Sequence, residues 1–162
     1  MDARDPYTYR HTQRVATRSE MIGRTIGLST DGLTNLHSAG LLHDIGKVGV
    51  LDSIITKSAK PTNDEWKIIR KHSAEEARIV GHVKELARLI PGIRHHHEWY
   101  GGTGYPDGLK SEEIPLCAKI IGIADAYDTM TTKRTYRDVV TQGEALEKLR
   151  RCSGYPVCPR AC

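Results

Sequence analysis

The stretch Leu33-Thr34-Asn35-Leu36-His37-Ser38-Ala39-Gly40-Leu41-Leu42-His43-Asp44-Ile45-Gly46-Lys47 ends a helix-period pattern with an imidazole next to a carboxylate. Residues three and four apart share a helix face. Leu33, Leu36, Gly40 and His43 form one such series, and Leu33, His37, Leu41 and Asp44 form the adjacent one. The His-Asp pair therefore stands at the core-facing end of its helix, and both side chains can reach a common interior point. Further candidates follow at His72, His96-His97 and Asp125, with His11 upstream. Imidazole suits first-row transition metals, and a carboxylate can bridge two of them. Five histidines and two aspartates thus predict a paired Fe, Mn or Zn centre, and with it metal-assisted hydrolysis of a phosphate ester.

A lone histidine is more often a packing or surface residue than a ligand, and His37 and His82 are read that way. His11 precedes Val15 by one turn on a stripe that continues through Ile22 and Ile26, so it should point inward. His96 and His97 lie three and four residues after Ile93, whereas His95 lies over Pro91 and Gly92 and is the solvent-facing member of the triple. Asp125 follows Ile121 by four residues and precedes Asp128 by three. The two carboxylates share a face, so one can ligate while the other supports it.

The chain has 162 residues, enough for one domain with a real core but not for two. No stretch approaches the ~20 apolar residues of a membrane span. The charged start Met1-Asp2-Ala3-Arg4-Asp5 lacks an apolar signal core, so a cytoplasmic protein is expected. A net charge of +4 suits an anionic substrate, but no basic run or aromatic ladder offers a surface for duplex nucleic acid. Cys152, Cys158 and Cys162 lack the paired close spacing of a structural zinc site, and Cys117 sits in an apolar helix as a packing residue.

Period-two alternation is scarce, and capping signals recur at Thr62 with Glu65, Ser73 with Glu76 and Thr141 with Glu144. The expected fold is all-α, with helices near residues 7–27, 30–43, 62–71, 74–89, 91–99, 115–131 and 142–151. Pro91 and Pro115 fit first helical turns. The loop Gly101-Gly102-Thr103-Gly104-Tyr105-Pro106-Asp107-Gly108 follows His97 closely and should form the rim of the site, its glycines permitting close backbone approach to a ligand.

From Ala3 to about Arg151 these motifs resemble the HD-GYP domain, a bacterial subgroup of the HD metal-dependent phosphohydrolases. The matching residues are Arg4-Asp5-Pro6-Tyr7-Thr8 with His11 and Arg14-Val15; Leu42 through Lys47; His72; His96-His97-Glu98; Gly102 through Leu109; Ile114-Pro115; Asp125-Ala126-Tyr127-Asp128; and Arg134 with Tyr136-Arg137. The resemblance implies a single all-helical domain over residues 3–151 with a metal site between its helices. It implies an enzyme that hydrolyses cyclic di-GMP to pGpG, in some members on to GMP. His11, His43, Asp44 and Asp125 would surround one metal, and Asp44 would bridge to a second held by His72, His96 and His97.

On the same resemblance, Lys47 lies near a phosphate oxygen, Tyr105 lines the substrate pocket, and Arg134 and Arg137 engage the nucleotide. A hydroxide bridging the two cations would attack phosphorus in line, with Lys47 offsetting phosphoryl charge and Asp128 orienting a ligand or a water. Iron or manganese is expected, with zinc as the remaining candidate. Tyr7 stands where three-metal members carry Glu, so two metals are expected. Residues 152–162 depart from the family's ending and read as a divergent tail outside the ordered domain. Partners implied are a cyclic dinucleotide and a diguanylate cyclase domain touching the Gly104-Tyr105-Pro106 loop, with a dimer admitted but not required. The rival readings are an HD-type nucleotide phosphohydrolase of other specificity and a low-turnover cyclic di-GMP sensing or docking module.

Overall fold

The computed structural model describes residues 6–55, 57, 59–132 and 140–152. Among them every regular element is helical, and the lone extended pairing is an isolated bridge between Gly101 and Lys110. Helices α1 (Pro6–Thr25) and α2 (Thr30–Leu42) pack along each other, and α7 (Leu116–Thr131) lies against α1 and against α6 (Ile90–His95). Between them runs one apolar core: Val15, Leu36, Ala39, Ile93, Ile120, Ile121 and Ala124, joined by Val80 from α5 (His72–Gly81). A smaller cluster of Val50, Ile54, Ile69 and Trp66 holds the short α3 (Asp52–Ile55) to α4 (Asn63–Arg70). The last helix, α8 (Gln142–Cys152), packs on α7. No helix among the described residues is long and apolar enough to cross a membrane.

The capping signals at Thr62 and Thr141 form as expected. Thr62 and Glu65 close a reciprocal capping box at the start of α4, and Thr141 with Glu144 does the same before α8. Ser73 and Glu76 do not. Helix α5 already begins at His72, both residues lie fully buried inside it, and the Glu76 carboxyl accepts the Gly46 backbone N–H at 3.2 Å. A tertiary donor has replaced the local one.

The expected helix over 74–89 is also broken. It stops at Gly81, Val83 is extended (φ −111°, ψ 106°), and Lys84–Leu89 continues as a 3₁₀ turn. In such a turn residues three apart line up, which carries Leu86 and Leu89 together onto the core. The 91–99 helix is shorter than expected, ending at His95 so that His96 and His97 fall in the following turn. The turn Ile45–Gly49 and α3 were not expected at all. Pro91 occupies the first turn of α6, while Pro115 is the residue just before α7. The stripe on α1 fades early: Val15 is fully buried, but Ile26 lies past the helix end and is exposed. The expected domain end at Arg151 falls one residue short of the end of α8, and the remainder of the tail lies outside the described residues.

Gly40 sets the spacing of α1 and α2, since a Cβ there would stand 2.7 Å from Ala16 Cα. Gly40→Val should therefore force the pair apart, at about 1–3 kcal/mol for an overpacked contact. A thermal melt should show a Tm lower by several degrees. An unchanged Tm would mean that the two helices do not meet at this residue.

Candidate metal centre

Three of the histidines share one local device. His43 caps the end of α2, His96 caps the end of α6, and His72 follows directly on the turn that ends α4. The last carbonyls of a helix have no partner within it. Each ring turns back onto the carbonyl three residues earlier: His43 Nδ1 donates to Gly40 O at 2.7 Å, His96 Nδ1 to Ile93 O at 2.6 Å, and His72 Nδ1 to Ile69 O. Donation through Nδ1 leaves the Nε2 lone pair of each ring facing the interior.

These lone pairs converge in two groups. His11, His43 and Asp125 place ligand atoms within 4.8 Å of one another, and so do Asp44, His72, His96 and His97. Asp44 faces both. Its Oδ2 lies 3.8 Å from His11 Nε2 and 3.7 Å from His43 Nε2, while its Oδ1 lies 3.9 Å from His72 Nε2. Asp125 Oδ1 stands 3.2 Å from His11 Nε2. The seven residues singled out in the sequence are thus brought together, from α1, α5, α7 and the turns after α2 and α6.

The donor set fits a pair of cations. His43 Nε2 and His96 Nε2 are buried and have no hydrogen-bond partner among the described residues. His72 Nε2 and His97 Nε2 lie 3.2 Å apart, near the ~3 Å that two nitrogens adopt around one ion at ~2.1 Å each. Burial and the neighbouring imidazoles lower His96 to about 3. Burial and Lys47 lower His72 to about 4. Both are neutral at pH 7, the form that ligates. Asp44 is held ionised against its burial by Lys47, His43 and His11, with Lys47 Nζ 2.6 Å from the carboxylate.

Asp128 stands behind His11 and not among the ligands. It is fully buried, accepts His11 Nδ1–H at 2.7 Å and Arg14 Nε–H at 2.6 Å, and also pairs with Arg18. That arrangement suits orientation of His11. His11 itself is raised to about 9, because bonds to Asp125 and Asp128 and the charge of Asp44 outweigh its burial.

His95 departs from its expected exposure. Its side chain is only 15% exposed and lies 3.5 Å from Asp107 Oδ2 and 3.8 Å from Glu98 Oε1. It does point away from the two metal-ligand groups. Glu98 carries no sequence signal of a role, yet its carboxylate accepts the backbone N–H groups of Asp107, Gly108 and Leu109 at 2.7–3.1 Å. Arg94 adds a bidentate bond to Asp107. Together they fold the 101–108 loop back so that the Tyr105 ring lies 4.7 Å from that of His97. Gly104 makes its close approach to the chain itself and not to a ligand: a Cβ there would lie 2.4 Å from Trp99 N. Glu76 was missed as well. Burial and the charge of Asp44 raise it to about 10, so it sits neutral beneath the Gly46 turn. His37, paired with Glu20, and the exposed His82 take no part in the site, as expected. Arg134 and Arg137 lie outside the described residues, as does the side chain of Tyr7.

Fold and site together define an all-helical domain built around two groups of histidines and aspartates that could hold metal ions. The HD domain family matches residues 1–155, and the chain belongs to that family, in its HD-GYP group. A cyclic di-GMP phosphodiesterase of Thermotoga maritima is 36% identical over 155 residues, covering 93% of this chain and 42% of that protein. The 3'3'-cGAMP-specific phosphodiesterase 3 of Vibrio cholerae is 37% identical over 146 residues, covering 90% of this chain and 32% of that one. The chain thus spans less than half the length of these relatives. An HDG"Y"P protein of Bdellovibrio bacteriovorus has the same fold, with a TM-score of 0.73 at 24% identity over 93% of this chain and 49% of that one.

With His11 raised to about 9, the metal-free protein holds a proton there at pH 7, and an ion binding to that group must displace it. Metal affinity should therefore rise with pH from neutrality toward that value, with about one proton released at pH 7. Titration calorimetry in buffers of different ionisation heat measures both. A pH-independent affinity without proton release would remove His11 from the ligand set.

Proposed function

We propose that this domain hydrolyses cyclic di-GMP to pGpG, and in part onward to GMP, using two divalent cations, iron or manganese ahead of zinc. The observation that carries the reading is Asp44, which turns one carboxylate oxygen toward His11 and His43 and the other toward His72. When bound, the two cations supply an acidified water as nucleophile and neutralise the phosphoryl oxygens. His11, His43, Asp44 and Asp125 would hold one, and Asp44, His72, His96 and His97 the other.

Lys47 is about one-third exposed at the mouth of the site, so its ammonium can leave Asp44 for a phosphate oxygen as charge grows there. Asp128 keeps the His11 ring in its ligating orientation. Tyr105, held over His97 by the Glu98-anchored loop, offers a ring against which a base or ribose can pack. Arg134 and Arg137 enter on the motif alone. The exposed Thr103 and Asp107 leave the loop's outer side open to a diguanylate cyclase domain. Residues 3–151 are read as the catalytic domain, acting in the cytoplasm on a soluble second messenger.

The substrate assignment draws on relatives named for two cyclic dinucleotides. A second reading, 3'3'-cGAMP as the preferred substrate, is favoured by the Vibrio cholerae relative. The test is turnover of both compounds by protein loaded anaerobically with Fe(II) or Mn(II). Product should appear as linear dinucleotide, stop on chelation and resume on re-addition of metal, while Mg(II) alone should not support it. Asp44→Ala should lose both ions and all activity. Full turnover by that variant with two ions bound would refute the bridging role, and a larger kcat/KM for 3'3'-cGAMP would replace the preferred substrate.

A further inference from the structure

Beside the metal centre, the end of α4 and the Tyr105 loop border an open cavity of about 320 Å³ lined by Lys67, Arg70, Lys71, Ala74, Tyr105 and Pro106. Its cations are not equally available. Lys67 Nζ is bound to Asp64 at 2.8 Å. Arg70 and Lys71 have no carboxylate partner among the described residues. Arg70 lies instead over two aromatic rings, with its guanidinium carbon 5.6 Å from the centre of Tyr105 and 5.9 Å from that of Trp66.

Basic residues in the last turn of a helix favour the helix dipole, and that alone accounts for cations at the end of α4. It does not account for the stacking of Arg70 on Tyr105, a residue of a distant loop that Glu98 fixes in place. Tyr105 has a second neighbour in His97, at 4.7 Å between ring centres. One side chain therefore separates a cation-lined cavity from a metal-ligand group.

We infer that this cavity receives the second, uncleaved phosphate of a cyclic dinucleotide, with Arg70 and Lys71 as its counter-charges. The inference rests on the reading under Proposed function. A cyclic dinucleotide carries two phosphodiesters in one covalent ring, so placing one at the metal centre fixes the other a short distance away, still charged. A guanidinium pre-oriented by two rings presents its fork to phosphate oxygens at little further entropic cost, and Lys71 adds a point charge. The cavity thereby selects substrates with two phosphates over those with one.

The experiment compares wild type with Arg70→Gln, Lys71→Gln and the double variant, all substitutions of exposed side chains. Two substrates are used, cyclic di-GMP and bis(p-nitrophenyl) phosphate, a diester with a single phosphate. The double variant should raise KM for cyclic di-GMP about tenfold or more relative to KM for bis(p-nitrophenyl) phosphate, since charge-assisted bonds are lost. Metal content should stay constant, and Arg70→Lys should restore part of the loss. An unchanged KM ratio would overturn the inference and leave the activity standing. So would an equal loss on both substrates, which would place the two cations in service of the metal centre or the fold. Wild-type protein that cleaves bis(p-nitrophenyl) phosphate but no cyclic dinucleotide would sink the functional reading itself, and the cavity's role with it.

Discussion

Asp44 is the constraint on which the rest of the structure turns. A carboxylate with 2% exposure is costly to bury unless charge and hydrogen-bond donors surround it. Here that surrounding is supplied by four residues from three places in the chain: His43 and Lys47 on either side of Asp44, His11 from α1 and His72 at the start of α5. Helices α1 and α5 must converge on the end of α2 to satisfy one side chain, and the turn after α6 adds His96 and His97 to the same group. The apolar core of Val15, Leu36, Ile93 and Ile121 lies alongside that convergence and fixes the distances.

The clustering of these histidines and aspartates was legible because helix periodicity told which histidines shared a face with apolar neighbours. Val15 and Ile93 are fully buried, and His11 and His96 follow them inward. Periodicity failed where the backbone left the α-helix. The 3₁₀ turn over Lys84–Leu89 brings Leu86 and Leu89 to the core on a spacing of three, which one long helix over the same residues does not reproduce. Ser73 and Glu76 form a textual capping box, but Gly46 N–H captures the Glu76 carboxyl from another segment. A local signature holds only while no tertiary donor competes for the same oxygen.

Glu98 illustrates a different kind of illegibility. Nothing in its sequence position distinguishes a surface carboxylate from one that accepts three backbone N–H groups of a loop about ten residues later. His95 was misjudged for the same reason. Its helical position points it away from the two metal-ligand groups, but the returning loop covers it, with Asp107 and Glu98 as neighbours. Exposure inferred from a helix face holds only if no later segment folds over that face.

The histidine cluster also bears on how folding and metal binding are linked. His43 and His96 each keep a buried Nε2 without a hydrogen-bond partner among the described residues, and an unsatisfied buried acceptor costs about 1–3 kcal/mol. His72 and His97 meet through a hydrogen bond between their Nε2 atoms at 3.2 Å. Without an ion, the orphaned nitrogens of His43 and His96 oppose the packing that buries them. With one, the same lone pairs would serve as ligands. The core holds the cluster in place against that opposition, and Nδ1 bonds to helix-end carbonyls fix each ring before any ion arrives. The site is therefore pre-organised at a cost in metal-free stability, which a bound ion would return as folding free energy.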